Sequence, residues 1–227
     1  MRRYLRTLST VLIVSGLLML TDAGVTLAWQ EPVSAIYSTV TQGRLGDDLR
    51  ELELAAPNTT DLAALRSLES ERKRMAFLAR SLRREAEPGD ATGRIRIPRI
   101  DANLVVVKGT DTASLRKGPA FYTDNPLPGA PGTVAVAGHR TTYGAPFREI
   151  DKLRPKDEIT IEMPYGRFVY KVEKTRIVKP TQVSVVQRVS FDRLVLSACH
   201  PLYSAAKRII VFARLESAEP KGAALEP

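Results

Sequence analysis

The chain of 227 residues has one cysteine, Cys199, and two histidines, His139 and His200. A thiol is an intrinsically strong nucleophile. To cleave a peptide it needs a proton carrier and a donor for the charge that develops on the attacked carbonyl. Three residues at the ends of apolar runs could form such a set. His139 follows the small apolar run 133–137 and Gly138, Cys199 ends the run 193–198, and Arg208 opens the last run nine residues later. Each has a plainer reading. Cys199 could be a buried small hydrophobe, since a lone cysteine has no intramolecular disulfide partner. His139 could simply bond to backbone in its Gly-flanked turn, and Arg208 could be one surface charge among 34 Lys and Arg. His200 is a second candidate base, but strand neighbours point to opposite faces, which favours His139.

The elements that must position these residues are strands. From Arg94 the apolar period is two and β-branched residues dominate, giving runs at 94–97, 104–107, 133–137, 158–163, 167–175, 176–178, 193–196 and 208–215. Pro164-Tyr165-Gly166 marks a hairpin, and Pro201, without an amide donor, must end the strand that carries Cys199. About eight short strands with few helices between them predict an all-β domain, a mixed or antiparallel barrel or sandwich. Short helices are expected at 113–117 and 145–153.

Upstream, residues 30–93 read as a helical stalk. One helical run starts near Leu49. A second carries Leu62, Leu65, Leu68, Met75, Leu78 and Leu82 on one face, with charged residues on the other. It is either packed on the strand domain or a solvated spacer. Residues 87–93 have linker composition. The domain reading is therefore 1–29, 30–93, 94–215 and a flexible polar tail over 216–227.

The N-terminus carries Arg2, Arg3 and Arg6 before a charge-free stretch, 7–21, and apolar residues continue past Asp22 to Trp29. A spanning helix needs roughly 20 apolar residues, and cationic flanks stay in the cytoplasm. A signal-anchor in the cell membrane is expected, with the rest of the chain extracytoplasmic. A cleaved signal peptide is the alternative, with 11–20 as its apolar region. The formal net charge of +9 falls entirely within 94–227, since 1–93 is balanced. A basic domain suits an anionic partner or a solvated surface. No nucleic-acid signature accompanies it: there is no zinc spacing, stacking motif or basic heptad helix. No metal site is indicated.

Residues 94–215 resemble the sortase family. The segment 134–143, Val-Ala-Val-Ala-Gly-His-Arg-Thr-Thr-Tyr, is similar to the family's histidine segment. Residues 195–208 are similar to its TLxTC cysteine strand followed by the family arginine, and the match continues through 209–213. Ile95-Arg96-Ile97-Pro98-Arg99-Ile100 and Leu115-Arg116-Lys117-Gly118-Pro119 also look familial. The resemblance implies an eight-stranded sortase-type β-barrel and a cysteine transpeptidase that uses no cofactor. It implies Cys199 as nucleophile, His139 as acid and base, and Arg208 as oxyanion donor. Tyr122, Tyr143 and Ala198 become candidate substrate-binding residues. The implied partners are secreted proteins with a C-terminal sorting signal and a peptidoglycan precursor amine. Val195 and Ala198 depart from the usual threonines, which bears on substrate preference. The segment from Ala137 to Phe147 and the Cys-His-Pro sequence look most like class E enzymes of actinobacteria. That likeness suggests Leu-Ala-x-Thr-Gly rather than Leu-Pro-x-Thr-Gly as the signal. A pilin-polymerising class C enzyme and a non-catalytic membrane-anchored barrel are the rival readings.

Overall fold

The computed structural model describes residues 2–28, 32–55 and 57–225; Trp29, at the end of the expected anchor, lies outside them. Five α-helices, α1 (Arg2–Ala28), α2 (Pro32–Leu54), α3 (Thr59–Arg66), α4 (Glu71–Glu85) and α5 (Thr112–Lys117), accompany eight strands. The strands are β1 (Ala91–Ile97), β2 (Ala102–Lys108), β3 (Ala120–Phe121), β4 (Thr133–Ala137), β5 (Glu158–Met163), β6 (Gly166–Val178), β7 (Arg193–His200) and β8 (Lys207–Pro220). They close into a barrel in the order β1-β2-β3-β4-β7-β8-β6-β5. The β2–β3 and β4–β7 pairs are parallel, and every other pair is antiparallel.

Alternation sorts the side chains. Ile95, Val106, Val134, Val136, Phe168, Leu194, Leu196 and Val211 fill the barrel and form its core with their neighbours. Two smaller apolar clusters cover the outside. Leu45 and Leu49 of α2 pack on Val105 and Val107, so α2 is bolted to β1 and β2. Tyr122, Val185 and Val186 pack over Ala135, Val195, Ile210 and Phe212 on the outer face of β4, β7 and β8.

The stalk is part of the domain. Residues 61–84 do not form one helix but break at 67–70, where Ser70 caps α4 by accepting from the Lys73 N–H. Asn58 caps α3 in the same way, and such caps stabilise by about 1 kcal/mol each. The break lets α4 turn Met75 and Ala79 into one end of the barrel as a plug. Packing, rather than the solvated-spacer alternative, is what the amphipathic face serves.

Other expectations are corrected. The 167–175 and 176–178 runs are one strand, β6, with a bulge between Val172 and Lys174; its outer half is exposed, which blurred the period. β3 is two residues long, too short to show a period. Residues 145–153 form turns with a single 3-10 turn at Ile150–Lys152, because Phe147 and Ile150 are drawn into the core. The tail expected to be flexible from Glu216 carries regular structure as far as Ala224. β8 runs on to Pro220, paired with Gly166, and the Ala224 carbonyl accepts from Arg74 of α4 at 2.8 Å.

Candidate active site

β7 and β8 set the stage. On β7, Leu194, Leu196 and Ala198 face the core, so Val195, Ser197 and Cys199 face outward. On β8, Ile209, Val211 and Ala213 face the core, leaving Arg208, Ile210 and Phe212 outside. Cys199 and Arg208 are direct partners in the antiparallel ladder. Directly opposed residues place their Cβ atoms about 5 Å apart on one face. The thiol and the guanidinium therefore share a face by register alone.

β4 brings the histidine. It runs parallel to β7 with Ala137 opposite Ser197, and the Gly138 N–H extends the pairing to the Ser197 carbonyl at 3.0 Å. Val134 and Val136 point inward; continued alternation sends Gly138 inward and His139 outward, level with Cys199. Gly138 has no room for a side chain. A Cβ there would lie 2.5 Å from the Phe147 ring. Phe147, fully buried, donates its N–H to the His139 carbonyl at 2.9 Å, so the loop after β4 doubles back and fixes the histidine backbone.

The imidazole is half-buried. Burial, and then the positive charge of Arg116, hold its pKa below the ordinary 6.5. Tyr143, on the same loop, sets its ring 5.4 Å from that of His139. Arg208 is anchored through one nitrogen, Nη1, which donates to the carbonyls of Ala205 and Lys207 at 3.0 Å each. Its Nε and Nη2 make no bond among the described residues and are open to a ligand. A cavity of about 340 Å³ adjoins Cys199, lined also by Arg140, Thr141, Pro201, Tyr203, Ser204 and Ala205. A larger groove of about 710 Å³ near Arg80 and Arg188 has neither cysteine nor histidine in its lining.

Register and continued alternation thus place three of the sequence-derived site residues, Cys199, His139 and Arg208, on one outer face at one end of the barrel. Tyr143 joins them, while Tyr122 lies farther back on that face, packed on the outer apolar cluster. Ala198 does not belong there. It is 3% exposed, opposite Ile209 inside the barrel, so it cannot line a groove on the face of Cys199. His200 is paired with Lys207 on the other face, its Nδ1 3.4 Å from the Arg140 guanidinium. Two residues escaped the sequence reading. Ser197 is the outward neighbour two positions before Cys199, which alternation from the cysteine would have found. Arg140, 3% exposed, bonds the Arg148 carbonyl and Asp151 at 2.7 Å and so locks the loop; nothing in its local sequence separates it from a surface arginine.

A thiol, an imidazole and open guanidinium donors on one face suit acyl transfer: attack, proton transfer and oxyanion stabilisation. Among the described residues no three His, Cys, Asp or Glu side chains gather as a metal site. The comparisons agree with this chemistry. Residues 95–216 match the sortase domain family model. Sortase D of Bacillus subtilis is 31% identical over 170 residues, 73% of this chain and 81% of that protein. Sortase SrtE1 of Streptomyces coelicolor is 29% identical over 60% of this chain and 43% of its own length. Among solved structures, sortase E of Streptomyces avermitilis is 33% identical, with a TM-score of 0.55, over 62% of this chain and 99% of that one. The sortase D5 transpeptidase of Clostridium perfringens shares the fold at a TM-score of 0.63, with 23% identity, over 78% of this chain and 99% of that one. The chain belongs to the sortase family of cysteine transpeptidases.

Proposed function

We propose that this sortase is anchored in the cell membrane by α1 and works outside it, joining secreted proteins to a cell-wall precursor. Cys199 attacks the carbonyl of the threonine in a C-terminal sorting signal. His139 takes the thiol proton as the C–S bond forms, then gives it to the departing amine as the Thr–Gly C–N bond breaks. An amine of a peptidoglycan precursor then attacks the thioester, forming the new C–N bond and losing a proton to His139; the C–S bond breaks and His139 returns that proton to the Cys199 sulfur. Arg208 holds the oxyanion in both steps with the donors that its backbone contacts leave open. The register pairing of Cys199 with Arg208 is the observation that carries this reading.

The anchor rests on α1, whose 23-residue span Arg3–Val25 contains an 18-residue stretch of mean hydropathy 1.8 and is long and apolar enough to cross a membrane. Arginines at its start favour a cytoplasmic N-terminus. Protease added to intact, wall-stripped cells should digest the barrel domain; full protection would reverse the topology. The class E likeness of the histidine and cysteine segments supports a Leu-Ala-x-Thr-Gly signal. Relatives carrying the class D, E and A names all match, so peptide choice is the test. The full chain in detergent should be given Leu-Ala-x-Thr-Gly and Leu-Pro-x-Thr-Gly peptides with candidate amines, and products read by mass. Cleavage between Thr and Gly with amine capture supports the reading; no cleavage of either peptide sinks it. Selective capture by a pilin lysine would favour the polymerising alternative.

A further inference from the structure

We propose that Tyr143 is a positioning residue for His139 and that the first turns of α2 hold it in place. The helix that leaves the apolar segment is then a working part of the site. This rests on the assignment of His139 as the acid and base.

Four contacts meet at Tyr143. Its backbone N–H donates to the Ser34 hydroxyl at 3.0 Å. Its ring meets Tyr37 of α2 edge-on, 6.1 Å between centroids at 74°. The Arg116 guanidinium of α5 lies over the ring at 5.7 Å. The fourth neighbour is His139 itself, at 5.4 Å. Beside it, Gly144 has a positive φ of 72°, and a Cβ there would collide with Ser38 of α2. Tyr143 also sits at a φ of 52°, where a bulky residue persists only if its surroundings hold it. Those surroundings come from α2 and α5.

These two helices are themselves tied together. Gln42 of α2 accepts from the Val105 N–H and donates to the carbonyls of Val105 and Lys117, next to Arg116. The buried Leu45 and Leu49 fix the same helix to the barrel wall. Its far end therefore has a defined position over the His139 loop, a few residues beyond the end of α1 at Ala28. Arg116 from α5 is the charge that acts on His139. Tyr143 from its own loop faces the ring with Tyr37 of α2 behind it, and strand register puts Cys199 of β7 and Arg208 of β8 on the same outer side. Burial is the larger cause of its lowered basicity and Arg116 the smaller. Removing the cover should let the imidazole protonate more easily.

Two histidines make the test direct. The full chain in detergent micelles, labelled at histidine, is titrated by NMR, and His200→Gln identifies the His139 signal. The His139 midpoint is expected below 6.5 in the parent. Tyr143→Gly removes the ring but suits the positive φ, and a Ser34→Ala/Tyr37→Ala double variant loosens the hold from α2. Both should raise the His139 midpoint toward its ordinary value while the His200 signal titrates as before. Tyr143→Phe should match the parent. Tyr143→Gly should also lower turnover by about ten- to a hundredfold, with the larger effect on kcat. An unchanged His139 midpoint in both variants overturns the proposal, as does an equal shift at His200, which would mean general loosening. The titration needs no substrate. A fully active His139→Ala would therefore sink the catalytic assignment while leaving this placement to be judged on its own.

Discussion

Cys199 and Arg208 sit directly opposite each other across the β7–β8 ladder, on the outward face that Val195 and Phe212 also occupy. A slip of one residue in that register would send one of them into the barrel. Their pairing is as secure as the apolar sorting of Leu196, Ala198, Ile209 and Val211 behind them. Cys199→Ala should abolish both transfer and hydrolysis, because the sequence holds no second thiol.

Arg208→Lys keeps the charge but loses the planar fork. If the open Nε and Nη2 donors hold the oxyanion, turnover of a sorting-signal peptide should fall by about 100- to 1,000-fold. Lys207→Ala, on the other face, should be mild. Near-normal rates for Arg208→Lys would remove Arg208 from the chemistry and leave the Cys–His pair alone.

His139→Ala should remove nearly all activity, whereas His200→Gln, pointing toward Arg140, should retain a clear fraction. His139 also makes a stability prediction with a definite sign. Its folded-state pKa lies below the ordinary 6.5, so the unfolded chain binds more protons near that pH. The contribution is fully present above the unfolded value and is lost as pH falls through 6.5 toward the folded value. Compared with His139→Gln, the parent should lose melting temperature on acidification from pH 7.5 to 5. Parallel curves for the two proteins would contradict the burial of the imidazole.

Gly138→Ala should force the Phe147 ring aside and cost about 1–3 kcal/mol, as overpacking does. It should cost activity too, since Phe147 carries the N–H that holds the His139 carbonyl. Pairing it with Phe147→Leu should recover part of the activity, a coupling that independent effects would not show.

Ala198→Val tests the inward placement. A larger side chain at a 3% exposed core position should lower stability by about 1–3 kcal/mol. The ratio of turnover on Leu-Ala-x-Thr-Gly and Leu-Pro-x-Thr-Gly peptides should stay constant. A changed ratio without a stability loss would return Ala198 to the substrate groove.

Period and spacing located His139, Cys199 and Arg208 at strand ends, and the resemblance to the sortase family singled them out as a site. His139, Cys199 and Arg208 each follow or open an apolar run, and Pro201 marks the end of β7. Legibility failed where long-range packing overrides local pattern. Ala198 became a candidate because it stands where the family motif has a threonine, yet its place next to Cys199 in a strand puts it on the opposite face. Arg140 is indistinguishable from a surface arginine until Asp151 and the Arg148 carbonyl are seen around it. α4 carries the apolar stripe of a packed helix, but only the closed barrel shows what that stripe plugs. The contacts of α2 with Tyr143 join residues more than a hundred positions apart, with no local signal in either segment.

The strand order has a consequence for biosynthetic timing. β8 is the seam of the barrel: it pairs with β7 on one side and β6 on the other. A chain emerges N-terminus first, and domains fold largely as units once complete. Cys199 is therefore made before the strand that gives it its partner arginine and closes the wall behind it. Until residues 207–220 are available, the thiol belongs to an open sheet with an unpaired edge and lacks Arg208, its proposed oxyanion donor. On the proposed mechanism, competence toward acyl substrates waits for β8 to dock against β7.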